Sequence, residues 1–200
     1  MEKDQYKIVL LGDQGVGKSS IVLRFVKDDY NEEQNATVGA SYTGKILQVN
    51  DKIIKFNIWD TAGQERYQSL AKMYYRDANA AIMVYDITKR SSFEGILRWY
   101  KELKEFGPKN IVICIAGNKE DLVEMEDVQP SEVKELAKSI GAIYRKVSAK
   151  TSYGVEQMFK DLSVRLESGS DAPSPTKNAT QSVFLTEKPI PDTKKKKKCC

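Results

Sequence analysis

The densest chemistry in the chain lies in the stretch Gly12-Asp13-Gln14-Gly15-Val16-Gly17-Lys18-Ser19. It fits G-x-x-x-x-G-K-[ST], a loop that wraps phosphate groups. Glycines let such a loop curl until several backbone N–H groups point at one anion, and a helix beginning there adds the partial positive charge of its N-terminus. Lys18 brings an ammonium within reach of the outer phosphates, and the Ser19 hydroxyl suits Mg²⁺. Gly12, Gln14, Gly15, Val16, Gly17 and the following Ser20 complete the candidate phosphate contacts. The flanks agree with this chemistry: the apolar run 6–11 reads as a strand entering the loop, and 18–26 reads as a helix leaving it.

Further strand-like runs follow at 45–49, 53–59, 80–86, 111–118 and, more weakly, 142–147. Helix-like segments alternate with them at 69–76, 91–106, 131–139 and 155–167. Ser91-Ser92-Phe93-Glu94 reads as a capping box opening the longest helix, while Pro130 and Gly141 bracket the 131–139 segment. The alternation predicts an α/β fold, a six-stranded, mostly parallel sheet with helices on both faces. The two runs around Asn50-Asp51 are too close for a helical crossover, so they should pair as an antiparallel hairpin at the sheet edge.

Composition bounds the function class. The net charge of +4 becomes −1 once the five lysines of 194–198 are set aside, so the globular part has no nucleic-acid-binding charge. After Leu166 the chain turns rich in Ser, Thr, Pro and Asp. The expected organisation is a globular domain over 1–167, a flexible linker over 168–193 and a basic tail over 194–200. The three cysteines, Cys114, Cys199 and Cys200, make no disulfide framework, and Cys114 sits in an apolar run that reads as core. Met1–Gln5 lacks a secretory h-region, so a reducing, cytosolic setting is expected.

Ligands of open α/β sheets bind at the carboxyl ends of the strands. Those ends read Asp60-Thr61-Ala62-Gly63-Gln64-Glu65, Asn118-Lys119-Glu120-Asp121 and Ser148-Ala149-Lys150. Asp60 suits Mg²⁺, and Gly63 permits a backbone N–H to approach a phosphate. Together with the phosphate loop, these motifs resemble the Ras-like small GTPases over about residues 6–167. The resemblance implies GTP and GDP as bound nucleotides with Mg²⁺ held by Ser19, Thr37 and Asp60. Asp121 would accept the ring N–H and exocyclic amine of guanine, which adenine cannot supply. Asn118 would support loop and base, the Lys119 stem would cover the ring, and Tyr30 would stand against it. Leu122, Ser148, Ala149 and Lys150 complete the implied base site. Thr37 and Gly63 would tie two switch segments to the γ-phosphate and release them on its loss.

Gln64 is the implied water-positioning residue and Lys18 the charge stabiliser. No arginine is expected to adjoin the loop, the nearest being Arg24 and Arg66, so hydrolysis is expected to be slow without an activating protein that supplies one. Gln14 stands where the family usually carries a small residue. The alternative reading is therefore a GTP-locked, poorly hydrolysing effector platform, with a P-loop ATPase more distant still.

Trp59-Asp60-Thr61-Ala62-Gly63-Gln64-Glu65-Arg66-Tyr67 followed by Met73-Tyr74-Tyr75-Arg76 resembles the Rab family of trafficking GTPases. The segments at 37–42 and 69–76 resemble its early-endosomal branch, although Lys72 and Asp77 replace the Pro and Gly usual there. This resemblance implies an effector surface at Tyr42, Trp59 and Tyr74; burial in the core is the competing reading for Trp59. It also implies an exchange factor, an activating protein, a GDP-dissociation inhibitor, and effectors on early endosomes for a monomeric domain. The terminal Cys199-Cys200 is no C-a-a-X box but resembles the Rab double-geranylgeranylation signal, written by a transferase with an escort protein. Two lipid chains anchor stably where one does not, and the lysines favour an anionic leaflet.

Overall fold

Side-chain alternation along the first strand sets the layering. In β1 (Asp4–Leu11), Ile8 and Leu10 face one side and Val9 and Leu11 the other, and none of the four is exposed. A strand buried on both faces requires cover on both, which is the parallel-sheet condition. The computed structural model describes residues 4–49, 52–63 and 68–168. The remaining strands are β2 (Ala40–Val49), β3 (Lys52–Thr61), β4 (Ala80–Asp86), β5 (Val112–Asn118) and β6 (Ile143–Lys146). They form one sheet in the order β2-β3-β1-β4-β5-β6, parallel except for β2, which runs antiparallel to β3 at the edge.

The helices divide between the faces. On one side, α1 (Lys18–Lys27) and α5 (Val155–Glu167) cover Ile8 and Leu10, and Phe25 of α1 stacks on Phe159 of α5 at 3.6 Å between ring centroids. On the other, α3 (Arg90–Phe106) and α4 (Pro130–Ile140) bring Ile96, Trp99, Leu103 and Val133 into the core that also holds Val9 and Leu11. A shorter helix, α2 (Gln68–Tyr75), contributes Tyr75 to this second core. Each such buried apolar side chain stabilises the fold by about 1.5–3 kcal/mol.

Pro130 in the first turn of α4 and Gly141 just past its end, at φ 68°, act as the sequence reading expects, the Gly141 N–H bonding the last-turn carbonyls. The capping box does not form. Helix α3 begins at Arg90 without a side-chain cap, so Ser91 lies inside its first turn. Its neighbour Ser92 is buried and serves the preceding strand instead: its Oγ accepts the Asp86 N–H at 3.0 Å and donates to the Lys89 carbonyl at 2.7 Å. A buried strand-end N–H left without a partner would cost more than a helix cap gains. Glu94 pairs with the Arg90 side chain, one turn back, instead of capping a backbone N–H.

Strand β2 begins at Ala40, earlier than its apolar run at 45, because the polar residues 40–44 complete the ladder with β3. The Asn50-Asp51 turn, the 169–193 part of the linker, the lysines of 194–198 and Cys199-Cys200 lie outside the described residues. Among the described residues no helix is long and apolar enough to cross a membrane.

Candidate functional site

The loop after β1 turns through Gly12 and Gly17, at each of which an added Cβ would clash. Gly12 has φ 141° and its hypothetical Cβ would sit 2.3 Å from the Val84 carbonyl oxygen. Gly17 has φ 92°, and its Cβ would sit 2.2 Å from Asn118 Nδ2. The loop is thereby pressed against β4 and β5 while its other side borders a cavity of about 420 Å³. Lys18, only 5 % exposed, donates from Nζ to the carbonyls of Gly12 at 2.8 Å and Asp13 at 3.0 Å. Burial pushes its ammonium down to about 8, although Asp60 and Asp13 pull the other way.

The cavity has a cation end. Ser19 and Thr37 hydroxyls stand 2.7 Å apart, and Ser19 Oγ donates to Asp60 Oδ2, which also takes a longer bond of 3.4 Å from Thr37. Asp60 is buried, which raises its pKa against the opposing bonds from Ser19 and Thr37. Its second oxygen, Oδ1, is buried with no hydrogen-bond partner among the described residues. A buried orphan carboxylate oxygen beside two hydroxyls is the donor set of a small hard cation, so the residues present fit Mg²⁺.

The opposite end is built by β5 and the loop after β6. Asn118 is buried, donates from Nδ2 to the Val16 carbonyl at 2.8 Å and accepts the Ala149 N–H at Oδ1 at 3.2 Å. One side chain thus ties the phosphate loop to the 148–150 loop. Ser148 Oγ donates to Asp121 Oδ1 at 2.5 Å and accepts the Thr151 N–H at 3.1 Å, fixing the Asp121 carboxylate at the cavity rim. Lys119 sits in the left-handed region at φ 70°, and its ammonium pairs with buried Asp86 at 2.6 Å. Burial alone would raise the Asp86 pKa, but hydrogen bonds from Lys119 and Thr88 outweigh it and hold the carboxyl below its usual range.

Of the residues named from the sequence, Gln14, Gly15, Gly17, Lys18, Ser19, Ser20, Tyr30, Thr37, Gly63, Asn118, Lys119, Asp121, Leu122, Ala149 and Lys150 all border this one cavity. Gly12, Val16, Asp60 and Ser148 are not on its wall and support it from behind. Gln64 lies outside the described residues. Asn31, Glu32, Gln34, Asn35 and Ala36 also line the cavity, and Gln34 accepts the Ser20 hydroxyl at 3.0 Å. Sequence reading named none of them as site residues, because a polar loop carries no spacing signal.

Three supports were also missed. Arg24 donates to the carbonyls of Ala149 at 2.9 Å and Lys150 at 3.1 Å, holding the 148–150 loop onto α1. Asp86 anchors Lys119 as described. The third corrects an expectation: an arginine does adjoin the phosphate loop. Arg98 of α3 pairs with Asp13 at 2.5 Å, and Trp99 Nε1 donates to the same oxygen at 2.9 Å. Separation in sequence hid this contact, which the packing of α3 on the sheet creates.

Away from the cavity, Tyr42 and Trp59 face each other across β2 and β3 with ring centroids 5.4 Å apart, and Tyr74 lies 5.1 Å beyond Trp59. Tyr42 is exposed, whereas Trp59 and Tyr74 are half-buried against the second core. Cys114 is fully buried in the other core, and burial raises its thiol to about 12.

The sequence pattern of the Ras family matches residues 7–168. Human Ras-related protein Rab-31 is 46% identical over 196 residues, covering 98% of this chain and 97% of the relative. Human Rab-22A is 45% identical over 196 residues, covering 98% of each. Rab5A of Oryza sativa subsp. japonica is 45% identical over 194 residues, covering 97% of this chain and 94% of its own. With a six-stranded Ras-like sheet and this likeness along nearly its whole length, the chain belongs to the Ras family, as a Rab-type small GTPase of the early-endosomal branch acting in endocytic vesicle trafficking.

Proposed function

We propose that the cavity holds GTP or GDP with Mg²⁺, and that the protein cycles between the two as a membrane-attached switch. The observation that carries this reading is the convergence of three distant motifs on one cavity, with Asn118 bonded to both the phosphate loop and the 148–150 loop. Asp121, fixed by Ser148, is the acceptor pair for guanine, and the Ala149 N–H, which Asn118 Oδ1 accepts at 3.2 Å, would be shared with the base oxygen once guanine is bound. A site built for that pairing rejects adenine by about 10⁴-fold, since Asp121 would lose the two donors that guanine brings. Tyr30, Leu122 and the Lys119 stem cover the base. Ser19, Thr37 and Asp60 hold the metal, which when bound offsets the negative charge of the outer phosphates.

Hydrolysis rests on positioning and charge stabilisation: Gln64 orients the attacking water and Lys18 stabilises charge that develops on the transferred phosphoryl group. Arg98 is committed to Asp13 and Arg24 to backbone carbonyls. Among the described residues no arginine lines the cavity, so the transition-state cation is assigned to an activating protein, worth about 10³–10⁵ in rate. Loss of the γ-phosphate frees Thr37 and Gly63, and the Tyr42, Trp59 and Tyr74 surface presents to effectors only in the GTP state. An exchange factor reloads the protein and a GDP-dissociation inhibitor extracts it. Cys199 and Cys200, geranylgeranylated through an escort protein, anchor a monomeric domain by its linker to the anionic face of early endosomes.

A second reading has its own observation. Gln14 lines the cavity, and Gly63 packs so closely on the loop that its hypothetical Cβ would lie 2.5 Å from the Gln14 nitrogen. A long side chain at that junction crowds the entry of water or an activator's arginine, leaving a GTP-locked effector platform. Identification of the nucleotide released on denaturation tests the first reading; adenine nucleotide would refute it. Single-turnover hydrolysis with an activator, in wild type and Gln14→Gly, separates the two. Equal rates would dismiss the platform reading. Diffuse rather than punctate signal from the unsubstituted chain in cells would remove the anchor.

A further inference from the structure

Asp13 places a carboxylate in a loop that must receive an anion, and a carboxylate there repels phosphates unless its charge is cancelled and turned away. Three contacts do both. Arg98 Nη2 lies 2.5 Å from Asp13 Oδ1 and Trp99 Nε1 donates to the same atom at 2.9 Å. The carboxylate also fills a niche over Gly95, where an added Cβ would lie 2.8 Å from Oδ2. The same residue's carbonyl accepts Lys18 Nζ at 3.0 Å, and its backbone is where Gly63 packs, 2.5 Å from that glycine's hypothetical Cβ. Asp13 therefore joins α3 to the ammonium and to the segment after β3 through a single backbone unit.

We propose that Arg98 is a positioning residue for the phosphate loop, drawing the Asp13 carboxylate onto α3 and cancelling its charge so that the loop remains receptive to an anion. This rests on the nucleotide reading above. Trp99 is 2 % exposed and rigid, so it fixes where the carboxylate sits, whereas Arg98 is half-exposed and supplies the charge. The two roles are separable: an amide at 13 keeps an oxygen for Trp99 but has no charge that needs cancelling.

Full-length protein loaded with a fluorescent GDP analogue in Mg²⁺ is tested by release kinetics. Arg98→Ala should speed release about tenfold at low salt, since the carboxylate then opposes the phosphates unscreened. Arg98→Lys should stay within about threefold of wild type, because the charge is kept. The decisive variant is Asp13→Asn/Arg98→Ala, which should return to within about threefold of wild type, since no charge then remains to repel phosphate. Raising salt to about 0.5 M should shrink the Arg98→Ala effect. A double variant as fast as or faster than Arg98→Ala, or no change in Arg98→Ala itself, overturns the proposal. Arg98→Gln gives the same reading should Arg98→Ala fold poorly, with melting temperature as the check on folding. Wild type that retains no guanine nucleotide overturns the functional reading, and the inference with it.

Discussion

Asn118→Ala should be the most damaging single change at the base end of the site, for reasons that precede any ligand. The side chain is 2 % exposed and satisfies two buried backbone groups, the Val16 carbonyl at 2.8 Å and the Ala149 N–H at 3.2 Å. Each group orphaned by truncation costs about 1–2 kcal/mol, so the domain should lose about 3 kcal/mol. For a domain of this size that is a fall of about 6–12 °C in melting temperature. The measurement is urea unfolding after nucleotide and metal are stripped with a chelator, because bound ligand would mask part of the loss by mass action. Asn118→Asp is the control that isolates the phosphate-loop bond: it keeps an acceptor for Ala149 and sets a carboxylate oxygen against the Val16 carbonyl. A loss below about 1 kcal/mol in the stripped Asn118→Ala domain, typical of a surface residue, would refute the view that Asn118 clamps two loops together.

Lys18 sets a pH dependence. Its ammonium titrates at about 8 in the folded chain against 10.5 ordinarily, so between those values the unfolded chain binds more protons and stability rises with pH. The stripped domain should gain about 1 kcal/mol from pH 7.5 to 9, and Lys18→Met should abolish that gain in urea titrations. Cys114 should be inert: in a Cys199→Ser/Cys200→Ser background a thiol reagent at neutral pH should label the chain only as fast as it unfolds, since burial raises that thiol to about 12. Gly63→Ala places a Cβ about 2.5 Å from the Asp13 carbonyl and the Gln14 nitrogen, so the segment after β3 cannot seat on the loop. GTP-dependent effector capture should be lost while GDP affinity stays within about threefold, as read by pull-down and equilibrium titration.

Local chemistry made much of this protein legible before any coordinates. The phosphate loop is contiguous, so its glycines, Lys18 and Ser19 announce themselves by spacing alone. Alternating apolar runs foretold the parallel sheet and its antiparallel edge, since burial on both faces imposes a recognisable composition. The motifs at Asp60, Asn118 and Ser148 are legible because each lies at or just past the carboxyl end of a strand, and strand ends meet at one side of an open sheet. Whatever depended on packing between distant segments was not. Ser91-Ser92-Phe93-Glu94 satisfied a local rule for a helix cap, yet the demand of a buried strand-end N–H drew Ser92 to Asp86 instead. The Asp86–Lys119 pair, the hold of Arg24 on the 148–150 loop and the Arg98–Trp99–Asp13 junction join residues far apart in the chain. Their partners are chosen by which helix covers which strand, and a charge on an exposed helix face reads in sequence as solvated until that packing supplies a counter-charge. Spacing thus declared the groups that touch a ligand, and tertiary structure alone decided which residues hold them in place.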